Sequence, residues 1–574
     1  MADRSSVANS VRCILISDFQ LGGLRGLLAN DKSAGPAVEP VLAPFGQVNE
    51  VLMDPSHDCW TSEPQPHAAL IWTQPQGAIQ TFAQLLRTGE SVPLKDILGE
   101  VASYAASIKG LLGRVRNVFV PLWVLPPHQR GLGMIDLSAD QGLSGTVLAM
   151  NAKLVQELQA TPGVFVLDAQ RWVAMAGKGA YSPQMWYMAK SPFSNAVLAE
   201  AVGDLKAALA GLAGASRKLI VLDLDDTLWG GIVGDAGWEN LKLGGHDPIG
   251  EAFADFQKNL KALTKRGIVL AIASKNEESV ALEAIRKHPE MVLRAEDFAG
   301  WRINWNDKAT NIAALAEELN LGLQSVVFLD DNPVERDRVR QALPEVFVPE
   351  WPKDKMLYSQ ALLQLRCFDS PHITQEDANR AQIYAADRQR RDLSRGVDSV
   401  DDFLRSLEIR IHVSLLDRGN LSRAAQLFNK TNQMNLSTRR LTAEELWDWA
   451  NTEGHSMWTL RVVDKFGDSG LVGLVSLAQT GPDKAEIVDL ILSCRVFGRR
   501  AEEAMMHVAI AHARSLGLSS ISATYMETAK NKPTLTFLER SGLERNNAGR
   551  FVWEKDAVYP APVLVSLDYT AETV

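Results

Sequence analysis

At 574 residues, with 46% hydrophobic and 22% charged side chains, the chain is longer than one hydrophobic core supports and reads as three globular domains. A formal charge of -10 excludes the broad positive field of a nucleic-acid binder, and no apolar run approaches the roughly 20 residues of a membrane-spanning helix. Cys13, Cys59, Cys367 and Cys494 are far apart and form no metal-ligand spacing; with no basic and apolar leader at the N-terminus, a soluble protein of the reducing cytoplasm is expected.

Residues 1–215 are expected to fold as a first domain. Strands are predicted at 11–16, 68–72, 117–125 and 163–167, with helices between them such as 145–158. Strands alternating with helices imply a parallel sheet covered on both faces, a three-layer α/β domain. Ser17-Asp18-Phe19 ends the first strand and Asp168 follows a late one. That arrangement resembles a degenerate SGNH hydrolase. The group needs a serine after Gly-Asp and a histidine three residues after the late aspartate; here those places hold Phe19 and Arg171, so hydrolysis by that route is not expected. A scaffold or docking role is the expectation, with Ser17 and Asp168 as minor site candidates. The Pro-rich stretch 36–66 reads as irregular surface structure. The aromatic and Pro-rich run 180–193 reads as a packed junction between domains, with a groove as the alternative, and a helix at 196–212 follows.

Residues 216–366 carry the clearest chemistry. Lys218-Leu219-Ile220-Val221-Leu222 runs into Asp223-Leu224-Asp225-Asp226-Thr227, a buried strand that ends at an acidic edge. Two carboxylates so close repel each other unless a cation is shared, which makes Mg2+ the expected third party. A second strand, 267–273, ends at Ser274, whose hydroxyl can hydrogen-bond a phosphoryl oxygen. Lys308 supplies a positive charge, and a third strand, 325–329, ends at Asp330-Asp331. The order Asp223/Asp225, Ser274, Lys308, Asp330/Asp331 resembles the four motifs of the haloacid dehalogenase superfamily. The resemblance implies that Asp223 is the nucleophile on phosphorus and Asp225 the general acid and base, with its backbone carbonyl also on the metal. Asp223, Asp225, Asp330 and Asp331 would then hold Mg2+. A helix at 249–266 uses much of the interval between the first two motifs, so a capless, Rossmann-like domain is expected, with Gly230, Gly231 and Gly234 suiting a tight flap.

Residues 367–574 read as a third domain. A helix is predicted at 373–392 and another run at 400–406, then a strand at 408–413 and a polar segment at 421–435. Strands at 457–463, 470–478 and 486–492 precede Ser493-Cys494-Arg495-Val496-Phe497-Gly498-Arg499-Arg500 and a helix at 501–516. A strand, a Gly/Arg turn and a helix N-terminus make a phosphate cradle, because free amides and guanidinium groups point the same way. This α+β region resembles the GNAT acyltransferases, whose turn binds the pyrophosphate of coenzyme A. Arg500 departs from the small residue of that pattern, which turns the expectation toward phosphopantetheine on a carrier protein. Arg495, Gly498, Arg499 and Asn531 are the residues implied to bind it. Cys494, beside Arg495 and a helix N-terminus, is a candidate acyl acceptor against the alternative of buried packing, with His455 the nearest histidine in sequence.

Asp223 to Asp235, Asp330 to Glu335, Asn429 to Asn435, Asp464 to Asp468 and Ser493 to Arg495 together resemble the FkbH-like subfamily of the haloacid dehalogenase superfamily. The resemblance implies an enzyme that takes a glyceryl unit from 1,3-bisphosphoglycerate, removes phosphate and leaves D-glyceryl as a thioester on an acyl carrier protein, for polyketide extender or tetronate biosynthesis. Arg439, Arg440, Arg495, Arg499 and Arg500 could dock an acidic carrier. The alternatives are a plain Mg2+-dependent small-molecule phosphatase, transfer of another acyl unit, and a non-enzymatic assembly platform.

Overall fold

A computed structural model describes residues 10–31, 35–138, 141–371, 373, 375–397, 399–528, 530–547, 549–554 and 559–570. The chain divides into two compact units, Met1–Arg217 with Gln364–His372, and Lys218–Leu363 with Ile373–Val574. The regions expected as second and third domains thus share one unit. Gln364–His372 belongs to the first unit for an electrostatic reason: Arg366 donates through Nε to Asp204 at 2.6 Å and pairs with Glu200, both on the helix Asn195–Leu212.

In the first unit β1 (Ser10–Ile16), β2 (Ala37–Leu42), β3 (Ala68–Ile71), β4 (Asn117–Pro121) and β5 (Val164–Leu167) form a parallel sheet in the order β2-β1-β3-β4-β5. The inner strands are apolar at successive positions because both faces are covered. Ile14, Ile16, Ala69, Ile71, Val118 and Val120 face one core, built with Val101 and Met150 of the helices Leu94–Lys109 and Leu143–Leu158. Cys13, Leu15, Ala68, Leu70 and Phe119 face a second core, closed by Trp172 and by Val197, Leu205 and Leu209 of Asn195–Leu212.

The stretch 36–66 is not irregular, as its prolines suggested. It holds β2 and the helices Val48–Met53 and Asp58–Thr61. β2 is the edge strand, and one side of an edge backbone has no ladder partner, so Pro40 is tolerated opposite Cys13.

In the second unit β6 (Leu219–Leu222), β7 (Val269–Ser274), β8 (Phe298–Ile303) and β9 (Val326–Leu329) form a four-stranded parallel sheet, ordered β8-β7-β6-β9. β8 was not anticipated: Gly300, Trp301 and Arg302 obscure its pattern, and it lies at the edge, half exposed at its centre. The chain leaves β6 toward β7 on one side and returns as β9 on the other, so a crevice opens beyond the carboxyl ends of β6 and β9. Between β6 and β7 stand two short helical turns and the helix Pro248–Thr264, and no separate lid.

The rest of this unit is a mixed sheet. Its strands are β10 (Ile409–Leu415), β11 (Met434–Asn435), β12 (His455–Asp464), β13 (Gly467–Gly481), β14 (Lys484–Leu492), β15 (Ser520–Ala523), β16 (Glu544–Arg545), β17 (Phe551–Trp553) and β18 (Val565–Tyr569). They run β16-β17-β15-β14-β13-β12-β10-β18, with β11 beside β14. β14 and β15 are parallel, joined through the helix Ala501–Ser515. The helix Gln375–Arg395 packs on both β8 and β13 and ties the two sheets of the unit together. The molecule is a multidomain α/β protein, as the order of its predicted elements implied.

Candidate active site

The acidic edge of β6 lies at the crevice. Asp223 is the first residue past the strand, and its amide donates to Leu329 O of β9 at 3.0 Å, which fixes it beside the end of that strand. Lys308 opens the helix Lys308–Glu318, capped by Asp307, whose side chain accepts from Thr310 N. The lysine is 3% exposed, and its Nζ lies 3.0 Å from Asp223 Oδ1 and 2.6 Å from Asp330 Oδ2. Burial works against the ammonium, but the charges of Asp223 and Asp330 outweigh it and hold the lysine pKa above its ordinary value. Burial and then the charge of Asp223 push Asp330 up to about 7, against the pull of Lys308.

Oxygens of Asp223, Asp330 and Asp331 all lie within 4.8 Å of one another. Hard oxygen donors of that number, with one ammonium shared between two of them, fit a small divalent cation, and Mg2+ in particular takes a few carboxylates and completes its shell with water and phosphate oxygens. The Asp225 carboxylate stands outside this set. Its Oδ1 accepts from Trp229 Nε1 at 2.8 Å and Val233 N at 3.1 Å, and its Oδ2 from Asn276 Nδ2 at 2.8 Å. The metal role expected of Asp225 therefore rests on its backbone carbonyl alone. Ser274, 2% exposed, ends β7, the strand next to β6.

Several residues that build the site were not singled out in the sequence. Asn276 holds Asp225. Thr227 Oγ1 accepts from Asp331 N at 3.1 Å and ties the two acidic turns together. Arg336 donates to the carbonyls of Asp330 and Asp331 at 2.7 and 2.8 Å, clamping the turn after β9. Lys355 Nζ donates to Asp226 O at 2.7 Å and lies 3.4 Å from Asp331 Oδ2, a second cation beside the carboxylate that Lys308 does not touch. Asp226 has φ 55°, a left-handed turn that starts the flap, and the flap closes on itself where Gly230 bridges Lys242. A lone Lys355, far downstream of the first motif, gives no periodic signal; Asn276 did, as the residue two past Ser274.

The expected acyl cradle is arranged differently from the sequence reading. Arg499 turns inward: it pairs with Asp387 at 3.1 Å and Asp464 at 3.4 Å, beside Arg390, which grips Asp464 through two bonds of 2.7 Å. Asn531 is fully buried and saturated, accepting from Tyr525 OH and Thr528 N and donating to the carbonyls of Asn435 and Met526. Gly498 N donates to Glu502 Oε1 at 3.0 Å, so this loop amide is already used. Arg439 is spent on the buried carboxylate of Asp489.

Cys494 is half-buried; its sulfur accepts from Asn320 Nδ2, and it lines a cleft of about 470 Å³ with Arg495, Gly498 and Arg499. His455 is not its base. It pairs with Ala478 on β13, whereas Ser493 N bonds to Val472 O, and six strand residues span roughly 20 Å. The His455 ring stacks on Trp449 instead, with centroids 4.3 Å apart.

In the first unit the minor candidates have local duties. Ser17 Oγ accepts from Phe19 N, and Asp168 caps the helix Ala169–Ala176 by accepting from Gln170 N and Arg171 N. Arg171 itself pairs with Asp204 at 2.6 Å.

No protein-family model and no curated protein matches the chain. Among solved structures it is similar to the N-terminal part of the protein BF1531 from Bacteroides fragilis, described as containing a phosphatase domain complexed with Mg. The two are 28% identical over 63% of this chain and 95% of that one, with a TM-score of 0.57. A match of that length is far longer than residues 216–366 and takes in more than the central sheet. The spermidine N-acetyltransferase from Vibrio cholerae, solved in complex with CoA and spermine, is 18% identical over 24% of this chain and 82% of its own, TM-score 0.19. A domain from Methanocaldococcus jannaschii is 15% identical over 25% and 96%, TM-score 0.21.

Proposed function

We propose that this chain is a Mg2+-dependent phosphotransfer enzyme of the FkbH-like kind, which removes phosphate from a small phosphorylated metabolite and delivers its acyl unit to a carrier protein. The observation that carries the first half is Lys308 clamped between Asp223 and Asp330 at the crevice of a parallel sheet, with Asp331 in reach. The Mg-complexed phosphatase domain of the BF1531 fragment supports it.

In this reading an Asp223 oxygen attacks phosphorus in line, the bond to the leaving oxygen breaks, and Asp225, held by Trp229, Val233 and Asn276, gives that oxygen a proton. Water deprotonated by Asp225 then attacks the aspartyl phosphate, releasing phosphate and restoring Asp223. Asp223, Asp330 and Asp331 would hold Mg2+, which supplies neutralisation of the charge on the phosphoryl oxygens. Lys308 orients the nucleophile and shares that charge.

The acyl half rests on Cys494 and its cleft. A thiolate, of Cys494 or of a carrier's pantetheine, attacks the carbonyl of an acyl phosphate such as 1,3-bisphosphoglycerate, and phosphate leaves as a thioester forms. Lys308 opens the helix Lys308–Glu318 and Asn320 lies just past its other end, roughly 17 Å away, so Cys494, at Asn320, is remote from the phosphate site. A mobile arm is needed to serve both. A plain small-molecule phosphatase is the second reading, favoured by the internal use of Arg499 and Asn531.

Intact mass of a phosphopantetheinylated carrier protein, incubated with the enzyme, Mg2+ and 1,3-bisphosphoglycerate, tests the proposal. A gain of one glyceryl unit supports transfer with dephosphorylation. A gain of phosphoglyceryl means transfer alone, and phosphate release with no gain leaves the phosphatase.

A further inference from the structure

The first unit holds a cavity that neither half of the proposed reaction uses. It measures about 240 Å³ and lies beyond the carboxyl ends of β3 and β4, where ligands of parallel sheets are bound. Thr73 and Gln74 come from the turn after β3, Val124, Leu125 and Pro126 from the chain after β4, and Tyr181, Trp186 and Phe193 from the aromatic run. The junction expected of that run is therefore the wall of a cavity, the groove alternative. Phe193 stacks on Trp72 with centroids 4.9 Å apart and packs against Tyr181 at 5.1 Å, while Tyr181 and Phe193 also bridge through their backbones. The wall is thus built before any ligand arrives.

Two buried polar atoms on this wall have no partner: Nε2 of Gln74 and the hydroxyl of Tyr181. Each is an anomaly, because a buried donor left unpaired loses its hydrogen bond to water with nothing in return. Gln74 is held at its backbone and at its amide oxygen. Its backbone N–H donates to Asp18 Oδ1 at 2.9 Å, and Gln76 Nε2 donates to its Oε1, which leaves the NH2 group unpaired. Burial raises the Tyr181 pKa, so the phenol keeps its proton and is a donor as well. Among the other polar groups nearby, Thr73 Oγ1 contacts Trp123 Nε1 at 3.1 Å and Tyr104 OH at 3.2 Å, and Ser182 Oγ accepts from Met185 N, while Gln129 and Tyr187 add polar side chains to the wall. Among the described residues no lysine, arginine, aspartate or glutamate lines the cavity, and the imidazole on its wall, His128, belongs to an exposed residue. An anion such as a phosphate would find no fixed countercharge there, and an ammonium no carboxylate.

We infer that this cavity is a binding site for an uncharged, carbonyl-bearing ligand, an amide or ester with short apolar flanks, whose oxygen takes the donors of Gln74 and Tyr181. The leucine, valine, proline and aromatic walls receive the flanks, as in most small-molecule sites. The site stands on the first unit alone and does not depend on the phosphate-transfer reading.

Pantetheine is a suitable probe, being uncharged with two amide carbonyls. Ligand-observed NMR titration of the full-length protein should show saturable binding. Tyr181→Phe, which keeps the ring and its packing, should weaken it about threefold to tenfold, the loss of one neutral hydrogen bond. Gln74→Ala should do the same, and phosphopantetheine should bind no more tightly than pantetheine. Absence of saturation, an affinity unchanged in Y181F, or phosphopantetheine favoured by about tenfold or more would each overturn the assignment.

Discussion

The sheets of the two units end in the same way and do different chemistry. β1 runs into Ser17-Asp18 and β6 into Asp223-Leu224-Asp225, each a buried parallel strand delivering a carboxylate to its crevice. At β6 the neighbouring strand β9 brings Asp330 and Asp331, and the helix Lys308–Glu318 brings an ammonium into contact. At β1 the neighbouring strand β3 brings Trp72 and Thr73, and no cation among the described residues pairs with Asp18, which accepts from Gln74 N and is pushed by burial up to about 6. A crevice at strand ends is a property of the topology; what it can bind is set by the few residues that neighbouring elements place there. Charge against charge makes a site for phosphate and metal, and amides among aromatics make one for neutral ligands.

The largest test of this contrast is Asp223→Asn. Removing the nucleophile should lower phosphate release at least about a thousandfold, because the covalent route is lost and only binding and orientation remain. Phosphate release that survives in D223N would remove the distinction between the two sheets. Lys308→Met comes next and reads stability. It strips the counterion from two buried carboxylates, and breaking a buried pair in this way costs about 3–5 kcal/mol. Thermal unfolding should show the loss, and added Mg2+ should recover more of it in K308M than it adds to the parent. A variant as stable as the parent would mean that Lys308 does not hold the carboxylates together.

The parts of this architecture that were legible in the sequence are those in which local pattern and global role agree. Lys218 to Thr227 announces a buried strand and an acidic turn at once, and Ser274, Lys308 and Asp330 follow in an order that has few other readings. β8 was hidden because Gly300 and Arg302 break its apolar run, and β2 because Pro40 looks like a breaker until the strand is known to lie at an edge. The cradle of the last sheet misled for a physical reason. Arg499 and Asn531 have the right residue types in the right places, but Asp387 and Asp464 claim the first, and four hydrogen bonds saturate the second. Asp387 and Asn435 are distant in sequence from the residues they hold, so pattern alone could not assign them. Lys355 was missed for the converse reason: it acts on the turn at Asp226, to which no spacing links it.

Asp18→Asn sharpens the contrast from the other side. The folded pKa of Asp18 lies above its unfolded value, so the ionised form burdens the folded state. Stability from this group is intact below about pH 4 and is lost as pH rises through about 6. Asparagine keeps the acceptor for Gln74 N and carries no charge. D18N should therefore be more stable than the parent by about 3 kcal/mol at pH 8, with the gain vanishing near pH 4. Chemical denaturation at the two pH values measures it. Asp223 differs in having Lys308 for a partner, so the same substitution there removes an attraction to Lys308 along with a repulsion of Asp330.

The smallest effect is the one expected of Asp168→Ala. Asp168 follows β5 of the first sheet, and its Oδ1 receives Gln170 N at 3.1 Å and Arg171 N at 3.2 Å. It is an N-cap, and losing it should cost about 1 kcal/mol of stability at neutral pH. Phosphate release and acyl transfer should both be unchanged at a temperature where the protein is folded. If D168A instead abolished acyl transfer while phosphate release persisted, the first sheet would be a reaction centre in its own right. The division between a charged crevice that reacts and a neutral one that binds would then have to be drawn elsewhere.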